Sequence, residues 1–428
     1  MPGYEPALDS VGTGDGASRA VRMGAARRQW SGAPVRRGPT FFGRMSGNRM
    51  GVALGLLLAA LVGCSDKSGS GSRMQAGNQQ PTIGHEAWLS DPEFAPDATP
   101  GQLRQATADL VDRLVKRYPN KPAALNAAAR ALMGLGHLEK AKGLWQTCLA
   151  LDPQFVGTYF GLGMVADEAG DFATAARMYR KVIELAPEES RGPDMLARTL
   201  VNDGKVEEAV TMLTTYFKTH APTVDGLEQL GSAYLQLKQY DKAKSVFEMV
   251  VQAVPEERRG YYGLVRVYTQ LGDRQKAQEY SKKFRARVAA NQKKGVDSVR
   301  LFSDAAFLRD MLLRTLNEAG AAAAKIGDPD FAEEMWRKAA VLVPKDGLSR
   351  HKLLRLYDQQ KRDADGLVVC QELCEGEPDN GDYWLNIGLL QGRLQHLDKA
   401  RAALEQAIRL DPHNPRYQAA YKVLKESE

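Results

Sequence analysis

Cysteine is scarce, with four residues in 428, too few for a scaffold stapled by disulfides. They are Cys64, Cys148, Cys370 and Cys374, and no CxxC pair or CxxCH haem attachment occurs among them. Aromatic residues make up only 7% of the chain. No apolar run reaches the roughly twenty residues that span a bilayer as a helix. Charge imbalance is also missing from most of the chain. The formal net charge is +6, but residues 1–63 hold eight Arg, no Lys and three acids, which leaves residues 64–428 close to neutral. A nucleic-acid partner is therefore not expected, because phosphate binding relies on a strong basic surface. GxxxxGK[ST], HExxH and GxSxG are absent, and His85, His137, His220, His351, His396 and His413 show no metal-ligand spacing. No catalytic constellation, metal or cofactor is expected. What is abundant is Ala, Leu, Lys and Glu, a helix-forming vocabulary.

The longest apolar run, residues 51–62, suits the core of a signal peptide, with Arg44 and Arg49 as its cationic front. Leu61-Val62-Gly63-Cys64 follows directly and resembles the lipobox of bacterial lipoproteins. That resemblance implies cleavage before Cys64 and lipidation (palmitate included) of its thiol. Ser65 after the cysteine, rather than an acid, implies sorting to the outer membrane over the inner. Residues 1–44 show no periodicity and read as a disordered extension upstream of the true start, with Met45 or Met50 beginning a signal of ordinary length. The Gly/Ser-rich start of residues 64–101 reads as a flexible stalk.

A 34-residue period fills the rest. Ala141, Ala175, Ala209, Ala243 and Ala277 follow at that step, as do Gly136, Gly170 and Gly204, and Pro153 and Pro187. The pattern resembles the tetratricopeptide repeat, which implies an all-α, right-handed superhelix of about eight helix-turn-helix units. Five units cover 122–291 and three cover 313–414, preceded by a half-repeat helix within 102–121 and closed by a capping helix at 415–428. Between the blocks, 292–312 is expected to be an extra helix or a hinge. Within each unit, position 4 is bulky (Leu125, Tyr159, Leu227, Tyr261, Leu316, Trp384) and position 8 small (Ala129, Gly163, Ala197, Gly231, Gly320, Gly388). Position 24 is bulky again (Trp145, Tyr179, Leu213, Phe247, Trp336, Leu404), and proline at position 32 stops the second helix. Pro193, Ser281, Asp363 and Gly366 depart from the pattern and are expected to loosen repeats three, five and seven. Gly161-Leu-Gly163-Met-Val-Ala166 fits a loose GxGxxA pattern, but no strand precedes it and the repeat explains both glycines.

Cys370 and Cys374 lie one helical turn apart, where a metal or redox pair is conceivable, yet positions 24 and 28 are core positions and Cys packs there as a small hydrophobe. Family resemblance places ligands on the concave face made by the first helices. Position 9 there is Arg130, Arg198, Arg266 and Arg355, joined by Arg259, Tyr262, Gln270 and His351. Interleaved acids such as Asp194, Asp225, Glu228 and Asp358 are expected to pair with some of these arginines. The function implied is a non-catalytic protein–protein scaffold, lipid-anchored and periplasm-facing in a bacterial envelope, with envelope or secretion-complex assembly as its setting. The alternative is an accessory subunit that holds a catalytic or electron-transfer partner. The expected partners are a protein or peptide and, through the lipid, the membrane.

Overall fold

The computed structural model describes Phe94 and residues 97–293, 305–344 and 346–427. The expected extension, the signal segment and Cys64 lie outside the described residues. All regular structure among the described residues is helical.

Helix α1 (Pro100–Arg117) opens on Thr99, whose backbone N–H donates to Gln102 Oε1 at 2.8 Å while the Thr99 hydroxyl caps the first turn. Repeat one is α2 (Pro122–Gly134) and α3 (Leu138–Leu151); repeat two is α4 (Val156–Glu168) and α5 (Phe172–Leu185). Repeat three is α6 (Arg191–Asn202) and α7 (Val206–Tyr216), and repeat four α8 (Val224–Gln236) and α9 (Tyr240–Ala253). Repeat five is α10 (Arg258–Gln270) and the longer α11 (Arg274–Lys293). After residues 294–304 come α12 (Ala305–Ile326) with α13 (Pro329–Leu342), then α14 (Gly347–Gln360) with α15 (Asp363–Gly376). The last pair is α16 (Gly381–Arg393) with α17 (Leu397–Leu410), covered by α18 (Pro415–Ser427).

Each recurring residue has a visible mechanical cause. A β-carbon on Gly163 would lie 2.7 Å from the Tyr179 ring, on Gly231 2.7 Å from Phe247, and on Gly320 2.5 Å from Trp336. Position 8 is small because the bulky residue at position 24 of the same unit presses against its backbone. Gly161 meets Trp145 in the same way, at 2.1 Å, so helix packing accounts for the GxGxxA match. The position-20 alanines Ala141, Ala175, Ala209, Ala243, Ala332 and Ala400 have no exposed surface. The position-15 residue is left-handed in every unit: Gly136, Gly170, Gly204, Gly272 and Gly327, but Lys238, Lys361 and Gln395 where the sequence has no glycine. Position 4 does more than fill space. Tyr159, Tyr261 and Trp384 donate to the carbonyls of Pro153, Pro255 and Pro378 at 2.7, 3.0 and 2.9 Å, tying each first helix to the stop of the preceding unit.

The two blocks are not joined by stacking α12 on the end of repeat five. Helix α12 packs on α1 and α2, in the place of the first-helix partner that α1 lacks. It starts at Ala305, so residues 305–312 of the interval 292–312 are helix and bury Leu308, Met311 and Leu312. A β-carbon on Gly134 would fall 2.3 Å from Met311 Sδ. Arg113 donates to both Glu334 oxygens at 2.8 Å, and Arg117 and Tyr118 share Asp328 at 2.8 and 2.6 Å. The Tyr118 ring stands edge-on to Phe331, centroids 5.5 Å apart. One apolar core accordingly runs from Phe94 and α1 through α2 and α12 into α15 and α16.

In repeat seven, Gly366 leaves room that a methyl would fill without a clash, while Asp363 finds a partner. Asp363 sits at the start of α15, 3.0 Å from Arg393. Across the same repeats a buried polar cluster forms: Glu333 pairs with Arg337 on α13, and Arg362 reaches Glu333 at 2.5 Å and Asp365 at 2.8 Å. The Tyr357 hydroxyl receives Arg337 Nη2 at 2.6 Å and donates to Glu333 at 3.0 Å. Pro193 lies in the first turn of α6, where a missing N–H costs nothing.

Candidate functional site

The concave side of α2, α4 and α6 faces α12, and between them lies a cavity of about 730 Å³. Its floor is apolar and adaptable, with Met133, Met164, Met311 and Phe307 from three helices. Its rim is charged. Arg130 on α2 reaches Glu318 on α12 at 2.6 Å, and Arg314 pairs with Asp310 at 2.7 Å along α12. Arg198 on α6 reaches Asp167 on α4 at 3.2 Å. Asp167 also accepts from Thr199 at 2.8 Å and from Tyr179 at 3.1 Å, so the carboxylate is held in place before any ligand arrives. Burial pushes the Glu318 carboxyl above its ordinary range, although Arg130 and Arg191 pull the other way. Cations and carboxylates are thus both present and already matched. The arrangement suits a polypeptide segment that inserts an apolar side chain and exchanges its own polar groups for those of the rim.

The expected groove residues fall in three places. Arg130 and Arg198 line this cavity together, with Asn202 beside them. Arg259, Tyr262, Arg266 and Gln270 lie on α10, at the far end of the first block. Arg259 is fully engaged: Asp225 at 2.6 Å, Glu228 at 2.7 Å and Glu257 at 3.1 Å surround its guanidinium. Tyr262 is half exposed, with the Arg266 guanidinium 6.0 Å above its ring. His351 and Arg355 stand exposed on α14 in the second block. The His351 ring bonds the Gly347 carbonyl through Nδ1 at 2.5 Å and lies 5.7 Å from the Tyr383 ring.

The partners of the arginines were only partly foreseen. Asp225 and Glu228 do pair with Arg259, but Asp358 goes to Arg393 and Asp194 accepts from Thr223 at 2.8 Å. Glu318, Arg314, Phe307 and Met311 were missed as site residues. They lie far along the chain, and only the docking of α12 brings them to the groove. Cys370 and Cys374 are buried in the apolar core, and burial pushes their thiols up to about 12 and about 11. Cys148 is likewise buried and raised to about 11. Such thiols pack; they are poor nucleophiles.

The sequence pattern of the tetratricopeptide repeat matches residues 126–190, 195–258 and 228–290 in one form and 381–414 in another. Over those residues the chain is built of tetratricopeptide repeats. Among individual proteins, 120 residues are 27% identical to the protein O-mannosyl-transferase Tmtc3 of Drosophila melanogaster, which is 28% of this chain and 13% of that protein. Solved structures with similar repeats include YrrB, described as a TPR protein with an unusual peptide-binding site. It is 17% identical over 56% of this chain and 96% of its own, with a TM-score of 0.30. The Pseudomonas aeruginosa pilF protein is 17% identical over 55% and 97%, TM-score 0.36. PilW, described as a widely conserved type IV pilus biogenesis factor, is 16% identical over 54% and 98%, TM-score 0.37. At these values the likeness is one of repeat architecture.

Proposed function

We propose that this protein is a non-catalytic scaffold that receives a segment of a protein partner in the cavity between α2, α4, α6 and α12. The lipid on Cys64 holds it at the periplasmic face of a bacterial membrane, the outer membrane in preference to the inner, where it takes part in assembling an envelope or secretion complex. One observation carries the reading: a methionine-floored cavity on the concave repeat face, rimmed by pre-positioned ion pairs that a peptide can exchange with. The anchor rests on the lipobox-like tetrapeptide ending at Cys64.

The test joins both parts. A photo-crosslinker at Met164 captures the partner from membranes, and its affinity is then measured for wild type and for Arg198→Ala. A loss of about 1–3 kcal/mol, smaller at high salt, is expected for a charge-assisted contact removed from a cavity rim. Unchanged affinity moves the site away from the cavity. Cys64→Ser is expected to abolish lipid labelling and release the protein from the membrane fraction; continued membrane association refutes the anchor.

A further inference from the structure

The first block ends on an unfilled place in the stack. In earlier repeats the position-5 side chain is covered by the first helix of the next unit. Arg191 lies 5.0 Å over the Phe160 ring, and Arg259 bonds Glu228 at 2.7 Å. Position 28 of the second helix meets that same helix: Ile183 lies under Gly192 and Val251 under Gly260. In repeat five these places hold Tyr262, 52% exposed, and Arg285, exposed. No helix among the described residues covers them, since α12 packs on α1 and α2 instead.

The charge of this end is one-sided. Helix α11 carries seven cations and a single carboxylate, Glu279, in a chain whose remainder past residue 63 is net acidic. Lys276, Lys283 and Arg287 are held by Asp273, Glu279 and Glu256. Arg274, Lys282 and Arg285 are exposed and have no ion-pair partner among the described residues. At 100° per residue these three fall within one quadrant of the helix. On a different quadrant, Tyr280 stacks on Tyr268 and Phe284 packs by Tyr262, so the aromatic face is turned inward onto α10. A solvated terminal face needs charge for solubility, but not charge of one sign.

We infer that the open end of repeat five is a docking surface for an acidic helix of a protein partner, seated where the first helix of a sixth stacked unit would lie. Tyr262 supplies the apolar contact, and Arg274, Lys282 and Arg285 meet carboxylates on the incoming helix. A bilayer fits less well, because among the described residues of α11 the only exposed apolar side chains are the small Ala286 and Ala289, too little for insertion. A second copy fits less well too: α18, the exposed end helix of the other block, is itself net basic. This surface is separate from the cavity of the proposed function.

The experiment uses the full chain and a synthetic amphipathic helix of about 16 residues, ~24 Å long, with glutamates on its polar face and leucines opposite. A lysine version is the control. Fluorescence anisotropy should show the glutamate helix binding wild type, more weakly as salt rises. Arg274→Glu/Lys282→Glu/Arg285→Glu should lose about tenfold in affinity, as three exposed charge contacts would give, and should now prefer the lysine helix. Lys116→Glu/Lys218→Glu/Lys399→Glu makes the same change in net charge at other exposed sites and should bind as wild type does. Tyr262→Ala, which leaves the charges in place, should weaken both pairings. The inference is overturned if wild type does not distinguish the two helices, or if the two triple variants behave alike. It is also overturned if phosphatidylglycerol vesicles, and not the glutamate helix, respond to charge reversal on α11, or if light scattering shows the face occupied by a second copy.

Discussion

At the scale of single residues, the repeat is enforced by steric contacts whose sign can be read atom by atom. A β-carbon at Gly320 would lie 2.5–2.8 Å from the Trp336 indole, with both groups buried. Gly320→Ala is therefore expected to cost about 1–3 kcal/mol through overpacking. Gly366 is the opposite case, since its nearest neighbours, Leu354 and Leu390, stand 3.5–3.7 Å from the missing methyl. Gly366→Ala should raise stability by about 0.5–1 kcal/mol, because it removes chain entropy from a helix without a clash; urea unfolding of the two variants measures both. Asp194 illustrates a charge effect. Its carboxyl is pushed up to about 7 by burial, with Asp225 and Glu189 adding repulsion and the Thr223 hydroxyl only partly opposing them. Those two neighbours are tied to Arg259 and Arg191, which moderates the repulsion. A carboxyl whose folded value is raised favours the protonated fold. Its contribution is complete below the ordinary aspartate range near 4 and is lost as pH climbs to about 7. Asp194→Asn should accordingly be more stable than wild type at pH 8, by about 1–3 kcal/mol, and similar to it at pH 4. Melting curves at the two pH values decide this, and equal shifts at both would refute it.

Helices and their pairings were legible to the extent that they repeat. Positions 8, 20, 24 and 32 recur at a fixed step, and each recurrence adds to a signal that one unit could not carry. The hydrogen bonds from position 4 to the preceding proline carbonyl were not legible, because Tyr and Trp at that place read equally well as plain bulk. The buried cluster of Glu333, Arg337, Tyr357, Arg362 and Asp365 was hidden for a related reason: on a solenoid helix, charged residues ordinarily face solvent. In the structure this cluster joins repeat six to repeat seven. The Tyr357 hydroxyl stands between Arg337 and Glu333, receiving from one and donating to the other. Tyr357→Phe keeps the ring and removes both bonds, leaving buried charges short of a partner. A loss of about 1–3 kcal/mol is expected, against a smaller change for Tyr421→Phe, where a half-buried tyrosine donates to Glu405. Equal and small losses for the pair would mark the cluster as water-accessible and weak.

For the whole molecule, the decisive contact was the least visible in the sequence. Residues 292–312 read as an extra helix or a hinge, and nothing local says that 305–312 pack against a helix some 200 residues earlier. The result is an apolar core that links α1 and α2 to α12–α15, while repeats three to five keep a core of their own. Stability in repeat arrays spreads mainly between neighbours in space, so neighbours in space, not in sequence, should unfold together. Phe331, 3% exposed, sits at the centre of the junction, with Tyr118 edge-on and the Arg113 and Arg117 guanidinium groups 5.2 and 5.1 Å from its ring. Phe331→Ala should cost about 3–4 kcal/mol locally. Hydrogen exchange should then accelerate in α1 and α2 as much as in α12 and α13, while α8 and α9 keep their protection. In a linear array, α1 and α13 would be separated by five repeats and could not respond together. Loss of protection confined to α13 and α14 would mean that the two blocks merely touch, and that the cavity between them has no fixed form until a partner binds.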